Sequence, residues 1–98
     1  MVKHIVFFKI KENLDRSAAS REIIETLKPL KDQIPQIRFY ELGINFADRE
    51  SAYDVALVSH FDNKAALDVY RNHPLHKEAV EKIKKYILQT AVVDYEIK

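Results

Sequence analysis

The chain has 98 residues, room for one small domain over positions 1–98 and little more. Hydrophobic residues make up 47% and charged residues 32%, a globular rather than a disordered mixture. Basic and acidic residues number 16 and 15, so the net charge of +1 leaves no electrostatic footprint for nucleic acid or an anionic membrane.

Cysteine is absent, which excludes disulfides and thiolate metal sites. No run approaches the ~20 apolar residues of a membrane span. The apolar run Ile5 to Phe8 is too short for a signal-peptide core and is closed by Lys9 and Lys11. A soluble cytoplasmic protein is expected.

The opening MVKHIVFFKIK predicts a strand from about Lys3 to Lys11. His4, Val6, Phe8 and Ile10 share one face of it, and Ile5 and Phe7 share the other. Neither face is polar in its middle. Asn13 or Asp15 then caps a helix. Its stripe of Ile23, Ile24, Leu27, Leu30 and Ile34 recurs at helical spacing. Pro29 lies inside that stripe and predicts a kink or an early stop, and Pro35 ends the helix.

A second strand is predicted from Ile37 to about Phe46. It contains Gly43, the chain's only glycine, which in a strand signals a bulge or a close backbone approach. Asn45 to Ser51 reads as a loop, and Tyr53 to Phe61 as a third strand. Tyr53, Val55, Leu57 and Phe61 fall on one face of that strand and Ala52, Ala56 and Val58 on the other, both largely apolar. Asp62 or Asn63 caps a short helix ending near Tyr70. The chain turns through Arg71, Asn72 and His73, and Pro74 suits the first position of another helix. Leu75, Ala79, Val80, Ile83 and Ile87 form its stripe. Thr90 to Ile97, rich in β-formers, is the last strand.

This order predicts an α+β, ferredoxin-like βαββαβ domain with its helices against one face of an antiparallel four-stranded sheet. A sheet covered on one side alone should alternate apolar and polar residues. Here the second face carries Phe, Ile, Val and Tyr. Each such side chain is worth ~1.5–3 kcal/mol on burial, a large part of a small domain's marginal stability. A second copy can cover them, so a homodimer through the sheet face, forming a dimeric α+β barrel, is predicted.

The segments HIVFFKIK, IPQI, YDVALVSHF, YRNHPLH and VVDYEI resemble, nearly end to end, the stress-responsive A/B barrel (Dabb) domain family. The most specific parts are the opening His-Ile-Val and the Tyr-x-x-His-Pro-x-His run. The resemblance implies a ferredoxin-like domain that dimerises into an α+β barrel. One plant member of that family is a polyketide cyclase, which closes a poly-β-keto chain by an aldol step. Carried over, its catalytic tyrosine and histidine fall on Tyr70 and His76, and a pocket histidine falls on His4. A further pocket histidine, in the third strand, has no counterpart, because Val55 stands there. His60 lies later in that strand and does not replace it.

Aldol closure needs a base to remove a proton beside a carbonyl and a group to support the enolate oxygen. Histidine suits the first task and a tyrosine hydroxyl the second. His76 is the candidate base, Tyr70 the candidate oxyanion donor, and His4 and His73 the candidate substrate-binding groups. Each also has a structural reading. His73, just before Pro74, is placed to cap a helix; His4 suits a hydrogen-bonded core position; Tyr70 can close the core with its ring. His73 and His76 have no carboxylate in matching register, so neither metal nor cofactor is expected. No GxGxxG, P-loop or nucleophile-elbow serine is present.

Two functional readings follow. One is a homodimer with a pocket for a small apolar or carbonyl ligand between helices and sheet. The other is a cofactor-free acid/base enzyme acting on a carbonyl compound, in the manner of a polyketide cyclase.

Overall fold

The computed structural model describes residues 1–97. The elements run β1 (Val2–Ile10), α1 (Arg16–Leu27), α2 (Leu30–Gln33), β2 (Phe39–Ile44) and β3 (Val55–Phe61), followed by α3 (Lys64–Asn72) and α4 (Pro74–Ile83). A 3₁₀ turn (Lys84–Tyr86) then leads into β4 (Ile87–Glu96). The strands form one antiparallel sheet in the order β2-β3-β1-β4. This is the ferredoxin-like arrangement.

Local chemistry sets the helix starts. Asp15 accepts from the Ala18 N–H at 2.9 Å, and Asn63 accepts from the Ala66 N–H at 2.8 Å, each satisfying a donor that has no partner inside its helix. Pro29 has no N–H for a helical bond; α1 stops at Leu27 and the chain re-enters a helix only at Leu30. The early stop expected from that proline is what forms.

One face of the sheet carries the core. Val6 and Phe8 from β1 and Leu57 and Phe61 from β3 bury against Ile23 and Leu27 from α1, Leu67 and Tyr70 from α3, and Ile83 from α4. The opposite face has no helix. By register it presents Lys3, Ile5 and Phe7 from β1, Ala56, Val58 and His60 from β3, Phe39, Glu41 and Gly43 from β2, and Ala91, Val93 and Tyr95 from β4. Phe7, Phe39, Val93 and Tyr95 stand exposed there. His60 stacks on Phe39 with ring centroids 4.8 Å apart.

Three expectations are corrected. Gly43 makes no bulge: it pairs regularly with Ala56, and a Cβ added to it would meet nothing within 4 Å. The irregularity lies instead between Lys9 and Ile10 opposite β4, where the Ile10 N–H is taken by the buried Asp54 carboxylate at 2.7 Å. Ile37 precedes β2, in a turn closed by its N–H on the Ile34 carbonyl at 3.2 Å. Ile87 opens β4 rather than extending the helical stripe, because the 3₁₀ turn tightens the end of α4 and releases the chain early. No helix among the described residues is long and apolar enough to cross a membrane.

Candidate functional site

β4 is an edge strand, and its helix-side residues Thr90 and Val92 are exposed rather than covered. Between them and α4 lies an open cleft of about 520 Å³. Register sets its floor. His4, Val6 and Phe8 of β1 lie opposite Asp94, Val92 and Thr90 of β4. Leu57, Val80, Ile83 and Ile87 complete an apolar wall. Val80 and Val92 are 43% and 53% exposed, so apolar surface is available to a ligand rather than consumed by the core.

The polar groups gather at the His4 end. Tyr70, near the end of α3, is buried to 1% exposure, and its ring lies 6.0 Å from that of His4 and 4.4 Å from that of His76. His76 sits in the first turn of α4, a position created by the break at His73-Pro74. Its Nδ1 lies 3.1 Å from the Arg71 carbonyl oxygen. A carbonyl only accepts, so Nδ1 carries the proton and Nε2 carries the lone pair. Burial pushes the His76 pKa below its ordinary value; the bond to the Arg71 carbonyl opposes that, and His4, Arg71 and His73 add like-charge repulsion. His76 is therefore a neutral base at physiological pH. Burial raises the Tyr70 pKa, keeping that phenol a proton donor, with the nearby Tyr40 hydroxyl working in the opposite direction.

His4 is also fixed. Its Nδ1 meets the Asp94 carboxylate, whose second oxygen meets the Arg71 guanidinium. A carboxylate accepts, so His4 too carries its proton on Nδ1. Sequence reading gave Asp94 no place beside His4. Strand alternation puts it on the same face as Thr90 and Val92, which was the available signal, but only the β1–β4 register sets it opposite His4.

The remaining candidates divide. His4, Tyr70 and His76 all line the cleft, whereas His73 is not among its lining residues. His73 caps α4, its Nδ1 accepting from the Leu75 N–H at 3.1 Å. Val55, where the resembled cyclase has a histidine, is buried in the core and does not line this cleft. Among the described residues no group of three or more His, Asp or Glu side chains is placed to hold a metal.

The comparisons agree with this architecture. An uncharacterized protein of Streptomyces coelicolor is 33% identical over 97 residues, covering 98% of this chain and 99% of its own. A crystal structure of a dimeric protein of unknown function and ferredoxin-like fold from Bacteroides fragilis has a TM-score of 0.86 at 31% identity, with 98% of this chain and 95% of that one covered. The hydroxynitrile lyase of Passiflora edulis has a TM-score of 0.84 at 23% identity, covering 99% and 93%; at that identity the likeness is one of fold. With the sheet order, the cleft and these relatives in view, a family model matching residues 2–97 completes the assignment: the chain belongs to the stress responsive A/B barrel domain family.

Proposed function

We propose that the protein binds a small, largely apolar carbonyl compound in the cleft and transfers a proton at the carbon beside the carbonyl. One observation carries this: His76 donates through Nδ1 to the Arg71 carbonyl while its ring packs 4.4 Å from that of Tyr70 inside an apolar cleft. Nε2 of His76 takes the α-proton, and the C–H electron pair moves into the enolate. The Tyr70 O–H donates to the oxygen that gains charge, and the imidazolium returns the proton to carbon or to a product oxygen. Apolar walls strengthen both interactions by keeping water from competing. Closure of a poly-carbonyl chain is the form of this chemistry that the sequence resemblance suggests. His4, held by Asp94, forms the end wall against which the carbonyl is seated.

Two copies pair, in the same reading, through the helix-free sheet face. The exposed Phe7, Phe39, Val93 and Tyr95 support this, as does the dimeric Bacteroides fragilis relative. The lack of cysteine suits the reducing cytoplasm. Fold likeness to a hydroxynitrile lyase adds no activity, because chemistry belongs to sites rather than folds.

The test is deuterium incorporation into the methyl group of acetophenone in D₂O, followed by NMR. The wild type exchanges faster than buffer. His76→Gln loses roughly 10²-fold or more, and Tyr70→Phe loses roughly 10²-fold. Exchange at the buffer rate, with acetophenone bound, assigns the cleft to binding alone and overturns the proton-transfer reading.

A further inference from the structure

Tyr40, on β2, reaches the same core from the side away from the cleft. It is partly buried against the core cluster and is not among the residues lining the cleft. Its hydroxyl oxygen is sealed from solvent and makes no hydrogen bond of ordinary geometry. Tyr40 stands in the register row Tyr40–Ser59–His4, and the Tyr70 ring packs 6.0 Å from that of His4 and 5.1 Å from that of Phe61, so the neighbouring polar group is the Tyr70 phenol. A buried hydroxyl without a partner is costly, which favours a bond from Tyr40 to that phenol.

Counting protons fixes the direction of that bond. Were Tyr70 the donor, the Tyr40 proton would be left without an acceptor in a sealed space. With Tyr40 as donor, its proton rests on the Tyr70 oxygen and the Tyr70 proton remains available to the cleft. Resting on the carbonyl reading of the cleft, we infer that Tyr40 is a positioning residue: its hydroxyl donates to Tyr70, directs the Tyr70 proton at the ligand, and strengthens Tyr70 as a donor. Two hydrogen bonds in series polarise one another. The acid–base behaviour runs the same way. Burial holds the Tyr40 proton in place, reinforced by the adjacent Tyr70 phenol. For Tyr70 the Tyr40 hydroxyl opposes the effect of burial. Charge developing on the Tyr70 oxygen during proton transfer is thus supported from behind.

The experiment uses acetophenone labelled with ¹³C at the carbonyl, whose resonance moves downfield as the oxygen accepts a stronger hydrogen bond. Wild type, Tyr70→Phe and Tyr40→Phe are compared. Tyr40→Phe keeps the ring and removes one hydroxyl, so the variant stays folded with a melting temperature lowered by at most a few degrees. Its bound carbonyl resonance is expected upfield of wild type, part of the way to that of Tyr70→Phe. Its kcat for deuterium exchange falls roughly five-fold at unchanged KM, the loss of about one neutral hydrogen bond. A ring acting only as packing moves neither readout. If Tyr70→Phe shifts the resonance and Tyr40→Phe does not, the role of Tyr40 is overturned while the cleft reading stands. If acetophenone fails to bind, or neither substitution moves the resonance, the cleft reading falls and the role of Tyr40 with it.

Discussion

Asp94 stands directly across the β1–β4 ladder from His4, and its carboxylate is divided between the His4 imidazole and the Arg71 guanidinium. One side chain therefore ties the middle strand β1 and the edge strand β4 to the end of α3. Asp94→Asn keeps the shape and removes the charge, so the amide cannot serve both partners as the carboxylate does. The expected cost is about 1–3 kcal/mol, read as a lower urea midpoint with an unchanged slope. Deuterium exchange slows as well, because His4 loses the group that sets its tautomer. A midpoint equal to wild type would show that the three groups are not coupled.

His76 gives the stability a defined pH dependence. Its folded pKa lies below the ordinary histidine value of 6.5, chiefly through burial. As pH falls through 6.5 the unfolded chain takes up a proton before the folded one, so stability declines until the folded value is passed and then levels off. Activity follows the neutral base and has its acid limb in the same region below 6.5. His76→Gln removes this part of the slope. Thermal melts of wild type and variant on both sides of that value check it; parallel curves would contradict it.

The helix-free face makes a prediction about assembly. Val58 lies on it, between Ile5 of β1 and Glu41 of β2. Val58→Asp sets a charge there, and twofold symmetry repeats it on the partner. Sedimentation is expected to show a wild-type dimer at micromolar concentration and a less stable, monomeric variant. A monomeric wild type would remove the proposed interface.

Cleft occupancy is tested from the β4 side. Val92 is 53% exposed and points into open space, so Val92→Trp fills the cleft without overpacking the core. Stability should stay within about 0.5 kcal/mol, while acetophenone binding is lost in a titration followed by NMR. Retained binding would place the ligand elsewhere.

Much of this was legible in the sequence, for identifiable reasons. Strands apolar on two sides anticipated the exposed apolar residues of the helix-free face, and of the paired cap candidates, Asn13 or Asp15 and Asp62 or Asn63, the second of each pair caps its helix. The Tyr-x-x-His-Pro-x-His run brought Tyr70 and His76 together because the proline forces the break that turns α4 back over Tyr70. What escaped depends on register and long-range contact. Asp94 gains its role only through the strand opposite, and Tyr40 only through a phenol on a different layer. Ile87 misled because it lies four residues beyond Ile83, a spacing that continues a helical stripe even where a 3₁₀ turn has ended the helix. Gly43 misled because a glycine can also simply leave room, as it does beside Ala56 on the open face.

The acid–base account turns on which nitrogen of His76 bears the proton, and long-range ¹H–¹⁵N NMR of the imidazole at neutral pH measures that directly. Nitrogen shifts of a neutral ring protonated at Nδ1, held on the Arg71 carbonyl with Nε2 as the free base, are the predicted result. A ring protonated at Nε2 would contradict it, since the lone pair would then face the backbone and the cleft would have no base.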